Sequence, residues 1–333
     1  MNYDIDIVVT WVDQNDPVWQ KEYLKYAPSA AQNKFDTSDA RYRDWGLLKY
    51  WFRGIEKFAP WVRYIHFVTF GHLPEWLDTG NPKLRIVRHE DYIPQEYLPL
   101  FNSNPIELMM HRIPDLAEHF VYFNDDLYLT RPVAPEYFFK DGLPCDAAVI
   151  NITQPKGVMK GIMENNMSII NSEYRKFGSL LRHPFKWIHP KYKKYLIITL
   201  RGLLSGRFYS PCDTHSAVPY LKSTREEVWS KYGDQLKPTM SHRFRSPDDV
   251  SLWVFRYWQL FKGDFVSRNI YDTAKGFYGI TSHLAEICDA ISFQKYCITI
   301  LNDADNEDVE KAASKLVKSF EKILPVKSSF EKE

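Results

Sequence analysis

Apolar positions fall in four short runs along the first 130 residues, at residues 5–12, 64–70, 84–88 and 120–123. Each run has strand length, is rich in β-branched or aromatic residues, and is bounded by charged or turn-forming ones, which predicts four β-strands. Between the first two, Leu47, Leu48, Trp51, Phe52 and Ile55 recur at the spacing of one helix face. Ala59-Pro60-Trp61 closes that helix, because proline disfavours helical backbone at the residue before it. A helix is expected from about Pro105 over Ile106 to Met110, and two more over residues 250–261 and 308–323. In the last, Val309, Ala312, Ala313, Leu316, Val317 and Phe320 form an apolar stripe opposite a charged face, as in a helix laid on a core. Residues 146–151 are a candidate fifth strand. Strands alternating with helices predict an α/β fold with a doubly wound, mostly parallel sheet. Such sheets bind ligands beyond the carboxyl ends of their strands.

From about Gln154 to Ser210 the pattern changes to Lys, Arg and aromatic residues, as in His183-Pro184-Phe185-Lys186-Trp187 and Lys191-Tyr192-Lys193-Lys194-Tyr195. The expected division is therefore 1–152 as the N-terminal part of an α/β catalytic core, 153–211 as a helical basic and aromatic insertion, 212–326 as the C-terminal part of the core, and 327–333 as a frayed tail. The insertion's composition suits an anionic membrane face or an anionic polymer. It suits a solvated helical subdomain equally well. With 333 residues and 44% hydrophobic content, the chain can bury a sizeable core and is not disordered overall. A formal charge of +1 argues against a nucleic-acid partner. The four cysteines, Cys145, Cys212, Cys288 and Cys297, form no CxxC pair, so neither a zinc site nor a redox dithiol is expected. No run of about 18 apolar residues occurs, and the first residues lack the basic start of a signal peptide. A cytoplasmic protein is the expectation.

The sharpest chemical feature is Asn124-Asp125-Asp126, directly after an apolar run. Adjacent carboxylates at the end of a buried strand suit Mg²⁺ or Mn²⁺ together with substrate phosphates, and one of the pair can take a proton. The plainer reading is a loop that starts with an Asx turn. Thr10-Trp11-Val12-Asp13 follows the first strand, where such folds place a nucleotide, although a polar loop with a turn at Asp16-Pro17 explains it as well. There is neither a GxGxxG nor a P-loop fingerprint. Asn102-Ser103-Asn104-Pro105 opens a helix, whose N-terminus attracts phosphate, with Ser103 or Asn104 as a simple cap. Asp213-Thr214-His215 and, about thirty residues later, His242-Arg243-Phe244-Arg245 supply donors of the kind that stabilise a transferring phosphoryl group. Leu301-Asn302-Asp303 is another polar pair after an apolar run.

Together these segments resemble the Stealth family, which includes bacterial polymerases of phosphodiester-linked capsules and the animal N-acetylglucosamine-1-phosphotransferase. The resemblance runs through residues 5–17, 41–129, the surroundings of His215, and Arg245 through Asp248-Asp249 to Asp303. Within the second region it rests on Arg43-Asp44, Arg53, Ala59-Pro60-Trp61, His89-Glu90-Asp91, Asn102-Ser103, Ile106-Glu107 and Asn124-Asp125-Asp126. It covers about two thirds of the chain. Residues 174–208 have no counterpart, so acceptor recognition differs.

The resemblance implies a nucleotide-sugar transferase core of GT-A type. It implies a UDP-hexose or UDP-N-acetylhexosamine donor, a glycan or lipid-linked oligosaccharide acceptor, and release of UMP. Mg²⁺ (or Mn²⁺) would sit on Asp125, with Asp303 as a second ligand. Asp126 is the leading general base and His215 the alternative, while Arg245 with His215 would stabilise charge on the phosphate. Asp6, Thr10, Trp11 and Asp13 would shape the nucleotide pocket, joined by Arg53, Asn102, Ser103 and Asn124. The location implied is the bacterial cytoplasm, with room for peripheral contact at the inner face of the plasma membrane. Two rivals share these residues: a metal-dependent glycosyltransferase that releases UDP, and a non-catalytic glycan-binding module.

Overall fold

The computed structural model describes residues 3–27, 45–175, 177–303 and 309–332, so Arg43-Asp44 lies outside the described residues. Its main sheet holds β1 (Ile5–Thr10), β2 (Ile65–Thr69), β3 (Leu84–Arg88), β4 (His119–Asn124) and β6 (Val218–Leu221), in the order β3-β2-β1-β4-β6. The first four are parallel and β6 runs antiparallel beside β4. The four runs of the sequence are thus the four parallel strands. The candidate fifth strand is not the fifth member of this sheet. Residues 146–151 divide between two short pairings, Leu143–Asp146 and Ile150–Asn151, that belong to small separate sheets. A second sheet of three strands joins β5 (Leu127–Leu129), β7 (Ala274–Tyr278) and β8 (Ile298–Asn302) in the order β7-β8-β5.

Successive strand residues face opposite sides of a sheet, and each side carries its own core. Ile7, Val9, Val121 and Phe123 face α2 (Leu48–Phe58), α8 (Leu284–Ser292) and α9 (Val309–Ile323). Val8, Val68, Phe120 and Tyr122 face α4 (Val158–Glu173), α6 (Lys222–Met240) and α7 (Trp253–Lys262). Helices on both faces make the sheet doubly wound, as expected. Helix α1 (Pro17–Tyr26) starts where a turn was the plainer reading. Asp16 accepts the Trp19 amide at 2.7 Å and Pro17 occupies the first helical position, where its missing N–H is no loss. Helix α3 (Ser103–Leu108) begins two residues before the expected Pro105, because Asn102 is its cap and accepts the Asn104 amide at 3.1 Å.

The insertion is helical, with α4, two short helices at Gly178–Arg182 and Pro184–Trp187, and α5 (Leu196–Ser205). It is anchored rather than detached. Trp187 and Tyr192 are fully buried, and Lys186 Nζ donates to the carbonyls of Gly263 and Phe265 at 2.5 and 2.7 Å.

The tail expected to fray is instead tied down. Phe330 is buried, and Glu331 takes a two-pronged ion pair from Arg53 on α2, with both N–O distances 2.7 Å. The third Arg53 nitrogen donates to the Leu324 carbonyl at 3.0 Å. Arg53→Met is expected to lower stability by about 3 kcal/mol, the scale for stranding one partner of a buried pair. The double variant with Glu331→Met should lose less than the two singles summed, because no charge is then left alone. Urea unfolding midpoints of the three variants check this.

At the start of β1, Asp6 is fully buried. Burial alone would raise its carboxyl, but Arg63, His66 and the Ala117 amide hold it below its ordinary value. Its stabilisation is therefore present above the unfolded-chain value of about 3.9 and is lost as pH falls through the lower folded one. Asp6→Asn is expected to lower the urea midpoint at neutral pH and to shrink its fall between neutral pH and about pH 3.

Candidate active site

Parallel register brings the reactive segments to one edge. Thr10 pairs with Asn124 at the carboxyl ends of β1 and β4, so Trp11 and Asp125-Asp126 leave the sheet side by side. Strand β6 runs the other way, so its start, just after His215, lies at the same edge. The Leu301 amide donates to the Asp126 carbonyl at 3.0 Å, which brings the end of β8 and Asn302-Asp303 alongside. These ends surround a cavity of about 440 Å³ whose lining includes Thr10, Trp11, Ser103, Asn124, Asp125, Asp126, His215, Arg245 and Asp303. Nine of the thirteen residues singled out from the sequence therefore share one pocket.

His215 Nε2 lies 3.7 Å from Asp126 Oδ2, an electrostatic contact longer than a hydrogen bond. Its φ of 38° is in the left-handed region, which costs energy for any side chain with a Cβ and persists where the surroundings enforce it. Burial works against a charged His215 imidazole. The Asp126 carboxylate outweighs this, helped by Asn302 and Asp213, and raises its pKa above the ordinary histidine value. Behind it, Asp213 is pushed up to about 6 by burial, against the pull of Arg256, Tyr257 and His215. Tyr257 donates to Asp213 at 2.7 Å, and Arg256 is locked in a buried ion pair with Asp146. These contacts hold the loop that carries His215.

The opposite wall is set by a buried carboxylate. Asp249 is fully buried and accepts from Asn102 and Asn104 at 2.8 Å each and from the Ser246 amide at 3.1 Å, with His242 Nδ1 at 2.6 Å. It thus clamps the start of α3 to the loop that carries Arg245. As a result Arg245 Nη2 donates to Ser103 Oγ at 2.8 Å. Below them Glu107 accepts from Tyr122 at 2.9 Å, and Tyr122 lies 2.9 Å from Thr10 Oγ1. Burial pushes Glu107 up to about 7 even with Arg245 nearby.

Among the described residues, no group of three or more His, Cys, Asp or Glu side chains is arranged as a metal cage. A Mg²⁺ site needs less, since one or two carboxylates with substrate phosphates suffice. Asp125, Asp126 and Asp303 line the same cavity, and Asp126 Oδ1 is buried without a hydrogen-bond partner. That donor set fits such an ion.

Models of three regions match the chain: Stealth protein CR1, conserved region 1, at residues 3–30; CR2, conserved region 2, at residues 41–145; and CR3, conserved region 3, at residues 214–258. The receptor polysaccharide phosphotransferase WefC of Streptococcus gordonii is 42% identical over 335 residues, covering 98% of each chain. The capsular polysaccharide phosphotransferase WcwK of Streptococcus pneumoniae is 39% identical over 330 residues, again 98% of each. The chain belongs to the Stealth family. The exopolysaccharide phosphotransferase cps2G of Lactiplantibacillus plantarum is 36% identical over 333 residues, 99% of this chain and 97% of that one. This Stealth protein is accordingly an enzyme, a transferase of the phosphotransferase class. Among solved structures, the galactosyltransferase LgtC with donor and acceptor sugar analogs aligns with 96% of this chain and 97% of its own, at 12% identity and a TM-score of 0.41. That distance decides nothing about the reaction.

Four expected pocket residues of this Stealth protein do other work. Asp6 sits at the start of β1, at the far end of the sheet, and accepts from Arg63, from the amides of Tyr64 and Ala117, and faces His66 at 3.0 Å. Arg53 holds the tail through Glu331. Asn102 caps α3 and ties it to Asp249, so it positions Ser103 without lining the cavity. Asp13 forms a turn, accepting the Asn15 amide while its own amide donates to His72, and is absent from the lining. Glu107, Tyr122 and Asp249 received no role from the sequence. Only a three-dimensional neighbour reveals them, since Asp249 acts on residues 145 and 147 positions away.

Arg245→Ala and His215→Ala are each expected to lower kcat by about 10²–10³, the scale for losing one preorganised donor to a charged transition state. Circular-dichroism spectra should stay unchanged. Unfolding in either variant would assign that residue to the scaffold instead.

Proposed function

We propose that this chain transfers hexose-1-phosphate or N-acetylhexosamine-1-phosphate from a UDP-sugar to a hydroxyl of a glycan or lipid-linked oligosaccharide, releases UMP, and so places a phosphodiester in a capsular or cell-surface polysaccharide. The observation that carries this reading is the meeting of Asp126 and His215 with Ser103 and Arg245 around one cavity. A full-length relationship to polysaccharide phosphotransferases supports it.

In-line phosphoryl transfer requires positioning, charge neutralisation and a proton acceptor. The acceptor oxygen attacks the phosphorus that carries the sugar. A new P–O bond forms there while the bond from that phosphorus to the bridging oxygen of UDP breaks, and UMP leaves with the electron pair. The sugar C1–O bond is untouched, so the anomeric configuration is kept. Asp126 takes the acceptor proton. His215, whose protonated form Asp126 favours, and Arg245, aimed by Ser103, donate to the phosphoryl oxygens. Thr10 and Trp11, where β1 ends, shape the nucleotide side of the cavity. Mg²⁺ or Mn²⁺, held by Asp125 and Asp303, would supply further neutralisation of phosphate charge.

The test is product analysis with a panel of UDP-sugars, candidate glycans and Mg²⁺. UMP should accumulate only when acceptor is present, and EDTA should abolish it. Accumulation of UDP would replace this reading with glycosyl transfer. Glycan binding without turnover would replace it with a binding module.

A further inference from the structure

Helix α5 is built the wrong way round for a globular surface helix, which buries its large apolar side chains and exposes polar ones. Here the only buried residues are the small Thr199 and Gly202, with Leu196, Ile198 and Leu203 half-buried against the core beside them. Thr199 is fully buried and its Oγ1 accepts the Ile150 amide at 3.3 Å. Gly202 packs so closely that a Cβ there would lie 2.8 Å from Ile150 Cγ2. These contacts fix the helix's rotation. They turn Ile197, Leu200 and Leu204, at i, i+3 and i+7 on one face, out to solvent with exposures of 52%, 41% and 90%. Arg201 is exposed between them and Arg207 follows. Earlier in the insertion, Leu181 and Phe185 are 78% and 83% exposed.

Charge selects what covers such a face. Residues 174–212 contain nine Lys and Arg and no Asp or Glu, in a chain whose total is +1, so the remainder carries −8. Arg182, Lys191, Lys193, Lys194, Arg201 and Arg207 are all exposed, Lys193 with its ammonium paired to Asp272. A second copy docked face to face would set this cationic surface against itself. A protruding apolar face among cations, with no acidic residue in the segment, complements an anionic bilayer, where apolar side chains enter the acyl boundary and basic ones meet the headgroups. Among the described residues no helix is long and apolar enough to cross a membrane, so the contact is made from one side.

We propose that α5 is a membrane-docking helix that seats the enzyme on the anionic face of a lipid bilayer through Ile197, Leu200 and Leu204. From α5 the chain runs through Ser210–Pro211 into Asp213 and His215, so the docking element and the pocket are joined by a short connection anchored by the buried Phe208, Ser210 and Pro211. Docking does not depend on which bond the enzyme breaks.

The experiment is flotation of the whole protein with vesicles of phosphatidylcholine alone or mixed with phosphatidylglycerol. The wild type should float with the mixed vesicles, less so as salt rises, and stay behind with pure phosphatidylcholine. Ile197→Glu and Leu204→Glu should each lower the bound fraction on the order of tenfold. Phe293→Glu, which alters an exposed residue outside the insertion whose exposure lies between those of Ile197 and Leu204, should bind as the wild type does. Circular-dichroism spectra of all three should match the wild type, and turnover of a water-soluble acceptor should persist in Leu204→Glu. That last readout separates failure of docking from failure of the reaction assignment. Three results would overturn the proposal: no flotation of the wild type, variants that float like it, or inert vesicles with a self-association in light scattering that Leu204→Glu abolishes.

Discussion

The pairing of Thr10 with Asn124 ends two parallel strands level with each other, and the position of each reactive group follows from that register. A slip of one residue would reverse which face each side chain occupies. It would send Val9 and Phe123 out of their core and rotate Asp125 and Asp126 away from the cavity. The register is therefore held by the burial of β1 on both faces, where Ile7, Val8 and Val9 are all at 0% exposure. The placement of the pocket residues is a by-product of core packing. The antiparallel strand β6 and the bridge from Leu301 to Asp126 then bring His215 and Asp303 to an edge already fixed.

Elsewhere in the fold the protein uses buried carboxylates as fasteners. Asp249, Asp146 and Glu331 have their oxygens satisfied by amide, arginine or histidine partners, and each joins segments far apart in sequence. Asp126 differs. One of its oxygens is buried with no hydrogen-bond partner and the other faces an imidazole too distant for a hydrogen bond. A buried polar atom left unmatched is costly, and such a cost persists where a substrate or ion relieves it. The left-handed backbone at His215 points the same way.

Much of this was legible in the sequence because strands and helices differ in hydrophobic period. The four parallel strands and α2 follow from period alone, and Asp125-Asp126 and Thr10-Trp11 were found because they follow apolar runs. Asp6 was misplaced although spacing could have placed it. It lies four residues before the end of β1, about 13 Å from the edge at the usual strand rise. Arg53 could not be placed, because its partner Glu331 is 278 residues away. Strand β6 spans four residues, one of them Pro219, too few to show alternation. The exposed apolar face of α5 was visible only as composition. Which of its residues point outward depends on Gly202 meeting Ile150.

Attack at the phosphorus bearing the sugar is the step that defines the proposed reaction. A UDP-sugar radiolabelled at that phosphorus tests it most directly, with the enzyme, Mg²⁺ and a glycan acceptor. Label should appear in the glycan, leave the nucleotide as acceptor is consumed, and resist release from the diester by alkaline phosphatase. Label that stays entirely in the nucleotide product while sugar reaches the glycan would mean that the C1–O bond breaks, and would rule out phosphosugar transfer.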